Sequence, residues 1–161
     1  MSLYKKNSLS LLLCCMLPIM TLSFLSGHVT KTSVHGWYKT IHKSILTPPN
    51  LTFPIVWTVL YLMIAIALWR LLSAGTNKTR LKKALFYFGL QMLLNFLWTP
   101  VFFGLHSPWL GLIVIILLWI SIGMTLITMY PQVKEGAFLL IPYFLWVSFA
   151  LYLNAVIVYL N

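Results

Sequence analysis

Trp57 and Tyr61 stand one helical turn apart in the sequence. Gln91, Asn95, Trp98 and Phe102 follow at spacings of 4, 3 and 4, and Tyr143, Trp146, Ala150 and Asn154 at 3, 4 and 4. Those intervals put each set on one face of a helix. Three faces thus present indoles, phenols and carboxamides together. Such groups suit a flat, largely apolar ligand carrying a few carbonyl or carboxylate oxygens. Any one of them reads equally well as an interhelical hydrogen bond worth about 0.6 kcal/mol, or as filler; the convergence of three faces favours a ligand. Hydrolytic chemistry is not expected, because no nucleophile–base pair is visible and Glu135 is the only acid in 161 residues. Paired-carboxylate catalysis needs two acids, and a Mg²⁺ or Ca²⁺ site needs several hard oxygens. Ser121, Thr125 and Thr128 have no base nearby in sequence and are expected to bond back to their own helix.

The elements that must hold these faces are set by hydropathy. The chain is 61% hydrophobic and 7% charged, far below the charge density of a soluble surface. Stretches 7–30, 44–69, 84–133 and 136–161 carry no Lys, Arg, Asp or Glu, and the long third stretch is cut by Gly104-Leu105-His106-Ser107-Pro108. About 20 apolar residues span the ~30 Å hydrocarbon layer. The pattern predicts an all-α integral membrane protein, one domain over 1–161, with five transmembrane helices at about 9–26, 51–72, 81–103, 109–130 and 136–158. Lipid cannot satisfy irregular backbone, so the helices must pack as one bundle.

The net charge of +10 does not mark a nucleic-acid partner, because the cations cluster at helix ends rather than in a stripe. Membrane lipid is the partner they face. Lys5, Lys6, Arg70, Lys78, Arg80, Lys82, Lys83 and Lys134 fall on one side of a five-span topology, and Lys31, Lys39 and Lys43 on the other. The positive-inside rule puts the N-terminus in the cytoplasm and the C-terminus outside. A bacterial cell membrane is expected in preference to a mitochondrial outer membrane. Helix 1 opens like a signal peptide but lacks a small-residue cleavage site and is long enough to span. Cys14 and Cys15 are adjacent and the only cysteines, so no intramolecular disulfide framework exists. Packing is their expected role, with lipidation the alternative.

The only long connection, about Gly27 to Asn50, contains Trp37-Tyr38 and Pro48-Pro49. A loop of that length in a compact bundle is usually functional. His28, His35 and His42 recur at intervals of seven, but Gly36 interrupts the face and no thiolate or acid joins them, so no metal site is expected. Pro142 is expected to kink helix 5 and widen the bundle beside Tyr143.

Trp37-Tyr38, Pro48-Pro49, Pro54-x-x-Trp57-Thr58-x-Leu60-Tyr61, Leu94-Asn95-x-x-Trp98-x-Pro100-x-Phe102-Phe103-Gly104 and Pro142-Tyr143-x-x-Trp146-x-x-Phe149-Ala150-x-x-x-Asn154 resemble, in order and spacing, the TspO/MBR family of tryptophan-rich sensory proteins and translocator proteins. The resemblance implies a five-helix bundle, commonly dimeric, with its cavity under the first loop. It implies binding of porphyrins or haem and related tetrapyrroles such as protoporphyrin IX, as ligands rather than intrinsic cofactors. Ligand positions of the family fall on Trp57, Asn95, Trp146 and Ala150. Trp37, Pro48, Pro49, Tyr61, Gln91, Trp98, Tyr143 and Asn154 complete the expected lining. Light-dependent tetrapyrrole breakdown, ascribed to bacterial relatives, would fall on Trp37 and Trp146.

Three readings follow: a receptor or carrier for tetrapyrroles, an enzyme degrading them through Trp radicals, and a small-molecule exporter. The lack of ionisable side chains within the spans weighs against the exporter. Lys43-Ser44-Ile45-Leu46-Thr47-Pro48-Pro49 departs from the family by losing a Pro and an aromatic, and Leu51 replaces a frequent Trp, so the lid is less aromatic. No basic residue follows Tyr143, Tyr152 or Tyr159, so the helix 5 form of the proposed cholesterol pattern is missing.

Overall fold

A computed structural model describes residues 8–34, 36–74 and 77–161; Lys5, Lys6 and His35 lie outside the described residues. The described chain is all helical: α1 Ser8–Val34, the single turn α2 Trp37–Thr40, α3 Thr52–Ser73, α4 Lys78–Thr99, α5 Pro108–Met129 and α6 Lys134–Leu160. Five of these helices are long and apolar enough to cross a membrane.

Local chemistry explains most boundaries. Pro48 and Pro49 cannot continue a helix, and α3 starts just after them, with Thr52 N–H donating to the Pro49 carbonyl at 2.9 Å. The Asn77 side chain caps α4 by accepting from Thr79 N–H at 2.9 Å, and Ser107 caps α5 ahead of Pro108. Pro100 has no N–H to give the preceding turn. The chain widens there into a π turn, Pro100–Gly104, closed by Leu105 N–H to the Pro100 carbonyl at 2.9 Å.

One expectation is corrected. The first helix does not stop at Ser26. It runs through Gly27 to Val34, so the connection to α3 is shorter than 27–50 and carries α2 within it. Hydropathy marks where lipid ends, whereas a helix continues until something breaks it, and nothing before Val34 does. α6 runs continuously from Lys134 to Leu160 with Pro142 inside it.

The helices pack as a ring: α1 on α3, α3 on α6, α6 on α5, α5 on α4, with the π turn of α4 closing back on α1. Chain neighbours α3 and α4 touch only slightly. The core between them is filled from inside the ring, by Ile64, Phe88, Ile115, Leu118, Leu140 and Tyr143. Outward positions are as apolar as inward ones: Leu13, Phe24, Ile113, Leu117, Ile120 and Leu145 are exposed, as lipid-facing positions should be.

Candidate functional site

At the centre of the ring the Tyr61 hydroxyl donates to Asn95 Oδ1 at 2.6 Å, and Asn95 Nδ2 donates to the Tyr143 hydroxyl at 2.8 Å. All three side chains are buried. Trp57 stacks on Tyr61 at 5.3 Å and meets Tyr143 edge-on at 6.1 Å, while Phe96 stacks on the Tyr61 ring at 5.9 Å. This junction ties α3, α4 and α6 across the part of the ring where α3 and α4 barely pack. In an apolar medium such bonds have no water to compete with, and an unmade one is costly.

Two polar groups close to the junction have no partner. Gln91, one turn before Asn95 on α4, is fully buried with both amide atoms unpaired. Trp146, three residues after Tyr143 on α6, has a buried indole N–H with no acceptor. Because α4 and α6 run in the same direction, Gln91 lies on one side of the Asn95–Tyr143 bond and Trp146 on the other, the loop side. Trp146 meets Phe53 edge-on at 5.9 Å and Phe149 at 5.8 Å. It also lines an open, almost wholly apolar groove of about 540 Å³ between α3 and α6, with Val56, Leu60, Met63 and Pro142.

A separate layer closes the loop end. Tyr38, Phe102, Phe103 and Ile157 form a second buried cluster, joined by Trp37, Ile41 and Trp98. Trp37 stacks on His106 at 4.8 Å and meets Phe102 edge-on. Lys43 Nζ donates to the Tyr38 carbonyl at 2.7 Å and sits 4.5 Å over its ring. Burial raises the pKa of the Tyr38 phenol, so it stays neutral and apolar in the lid. Asn161 at the end of α6 holds the loop backbone from both sides, accepting from His42 N–H and donating to the His42 carbonyl.

The sequence-predicted residues therefore divide. Tyr61, Asn95 and Tyr143, with Trp57 against them, come together in the junction. Asn154 accepts from Trp98 Nε1 at 3.2 Å and donates to the Pro108 carbonyl at 2.9 Å, fastening α5 to α4 and α6. A Cβ at Gly111 would meet Phe102 at 2.8 Å there, so only glycine allows that approach. Of Trp57, Asn95, Trp146 and Ala150, the groove takes only Trp146; Ala150 packs on the main core, and Pro48 and Pro49 lie in the turn before α3. Trp37 packs against the lid cluster and Trp146 against the main core. Ile157 of the lid cluster lies eleven residues beyond Trp146 on α6, about 16 Å of helix rise. Phe53, Phe96 and His106 were not anticipated, and Phe149 stood in the family motif without a place in the expected lining. Phe53 stands four residues before Trp57 and Phe149 three after Trp146, a spacing that would have placed both on the aromatic faces.

A five-helix membrane bundle with an aromatic interior and an aromatic lid is the class these features define. The TspO/MBR family model matches residues 14–160. The chain is 38% identical to the tryptophan-rich protein TspO of Chlorobaculum tepidum, over 97% of this chain and 98% of the relative. It is 38% identical to the protein of that name from Archaeoglobus fulgidus, over 93% and 96%. It is 31% identical to the human translocator protein over 75% of each chain. The chain belongs to the TspO/MBR family, and it is a multi-pass integral membrane protein.

Proposed function

We propose that this protein is a membrane receptor or carrier that binds porphyrins and related tetrapyrroles between α3 and α6, in tetrapyrrole regulation or a stress response. The observation that carries the reading is Trp146, which lines the apolar groove and whose buried indole N–H has no acceptor. An orphaned buried donor costs about 1–3 kcal/mol, and a carboxylate or carbonyl on a flat macrocycle would satisfy it while its face lies along Phe53 and Phe149. The groove's volume of about 540 Å³ falls within the range usual for small-molecule sites, about 300–1,000 Å³. Nothing within the spans offers a nucleophile–base pair, and the separation of Trp37 from Trp146 weighs against a reaction needing both. Titration of protoporphyrin IX into the purified protein, followed by quenching of Trp emission, tests the reading. Saturable quenching that weakens in Met63→Trp, which fills the groove, is expected; unchanged binding in that variant removes the site.

The cytoplasmic N-terminus, the bacterial membrane and the homodimer implied by family resemblance are part of the same proposal. Cross-linking in mild detergent should trap a dimer, and monomer alone would remove that element.

A further inference from the structure

At the opposite end from the lid, a second depression of about 510 Å³ opens between the end of α3 and the turn joining α5 to α6. Its walls include Arg70, Ser73, Tyr130, Gln132, Lys134 and Glu135. We propose that it binds the head group of an anionic, hydroxylated phospholipid of the phosphatidylglycerol kind. The inference is independent of the tetrapyrrole reading.

Three observations converge. The first is charge. Arg70 and Lys134 stand in the wall, and Lys78, Arg80, Lys82 and Lys83 are exposed on the start of α4 at the same end. The single acid, Glu135, is mostly exposed and reaches Arg70 only at 3.9 Å, which leaves most of the guanidinium's five donors open to a phosphate. The second is depth. The end of α3 and the start of α6 mark where the hydrocarbon stops, and the aromatic partners there fit an interfacial belt: Arg70 lies 5.8 Å over the Trp69 ring and Lys134 5.7 Å over Tyr130. A phosphate at that level belongs to a lipid. Basic pockets between spanning helices take such head groups.

The third observation selects the head group. Gln132 Nε2 donates to the Thr128 carbonyl at 2.6 Å and to the Arg80 carbonyl at 3.2 Å. The amide is thereby oriented, and its Oε1 is buried with no partner. An acceptor beside the cations repels phosphate and calls for a hydroxyl or N–H donor. Glycerol supplies hydroxyls next to the phosphodiester without adding charge. Choline has no donor hydrogen, ethanolamine brings a cation into a basic field, and phosphatidic acid has no head-group hydroxyl beyond the phosphate.

Native mass spectrometry of the full chain in detergent, with phosphatidylglycerol, phosphatidic acid, phosphatidylethanolamine and phosphatidylcholine of matched acyl chains, tests this. Phosphatidylglycerol should be retained most, and Arg70→Gln and Lys134→Gln should each weaken it about fivefold. Lys39→Gln, exposed at the lid end, should change it less than twofold. Gln132→Leu should bring phosphatidylglycerol down to the level of phosphatidic acid and leave the latter unchanged. Circular dichroism checks each variant's fold, and the exposed Lys134→Gln keeps the test decisive if Arg70→Gln misfolds. Equal retention of phosphatidylcholine, or both charge variants binding as the parent does, overturns the proposal. Equal loss of phosphatidylglycerol and phosphatidic acid in Gln132→Leu overturns the assignment of the hydroxyl. Free glycerol phosphate competing as well as the lipid would show a soluble phosphate ester to be the ligand instead.

Discussion

Asn95 and Gln91 are both carboxamides on the inner face of α4, one turn apart and both buried, yet they have opposite fates. Asn95 is held at both ends by phenols, Tyr61 on α3 and Tyr143 on α6. Gln91 has neither atom paired. The same split separates Asn154, bonded to Trp98 and to the Pro108 carbonyl, from Trp146, whose N–H is unpaired. The paired groups hold the ring of helices together, whereas the unpaired ones add no hydrogen bond to it. Polar residues at helical spacing within the spans are therefore not equivalent, and satisfaction of their hydrogen bonds tells them apart.

The comparison breaks most visibly at the junction. Asn95→Ala should leave two buried phenols without their common partner and open a void between α3 and α4, where little else packs. A loss of about 2 kcal/mol is expected, above the ~0.6 kcal/mol average for a membrane hydrogen bond because two partners are orphaned at once. Tyr143→Phe removes a single bond and should cost less. Equilibrium unfolding in mixed micelles measures both; an Asn95→Ala protein as stable as the parent would make the junction incidental.

Trp146 tests the other side. Phe there keeps a ring against Phe53 and Phe149 but loses the N–H donor and the easily oxidised indole. Trp146→Phe should weaken protoporphyrin IX binding by no more than about tenfold, roughly 1.4 kcal/mol, and should suppress any light-driven turnover. Turnover unchanged in both Trp146→Phe and the Trp37/Trp146 double variant sinks the degradative reading and leaves the receptor. Collapse of binding makes the indole a structural anchor of the groove.

Gln91→Leu sharpens the contrast with Asn95 directly. With no partner to lose, it should leave stability within about 1 kcal/mol of the parent or raise it, because an apolar side chain replaces a desolvated amide. A larger loss in the same unfolding assay would mean that the amide is engaged after all.

The bundle was legible in the sequence because hydropathy reports the lipid boundary, and α3, α4 and α5 begin and end close to where the apolar blocks do. The α1 extension was not, because residues 27–34 are polar and a helix outside lipid leaves no hydropathy signature. The π turn was equally hidden. Pro100 announces a missing donor, but not whether the backbone will kink, stop or widen. At the site, helical spacing placed Tyr61, Asn95 and Tyr143 on faces that meet, and the stacking partner Phe96 lies beside Asn95 on α4, outside those spacings. Spacing cannot say whether an amide that faces inward finds a partner, since that depends on which phenol arrives from a different helix. Trp37 and Trp146 illustrate the remaining limit: family positions carried both into one expected cavity, whereas distance along α6 puts them in different layers.

The smallest expected effect concerns the lid. His106 adopts a left-handed backbone, φ 51°, in the three residues between the π turn and α5, and its ring carries the Trp37 stack at 4.8 Å. For a side chain with a Cβ that conformation costs about 1–2 kcal/mol, and an aromatic pair returns about 0.5–1.5 kcal/mol. His106→Gly removes both terms, so stability should stay within about 1 kcal/mol of the parent. The lid should respond all the same, because Trp37 loses the surface that fixes it against residues 105–107 while Tyr38 keeps Phe102 and Phe103. Amide exchange at 36–41 should therefore quicken in His106→Gly, with exchange around Asn95 unchanged. His106→Ala keeps the strain and loses the stack, so it should show the same faster exchange together with a measurable loss of stability. If lid exchange is unaltered in both, Trp37 is held by Phe102 alone and His106 is strained without consequence for the lid. If exchange also rises at Asn95, lid and junction are one cooperative unit and the separation into layers fails.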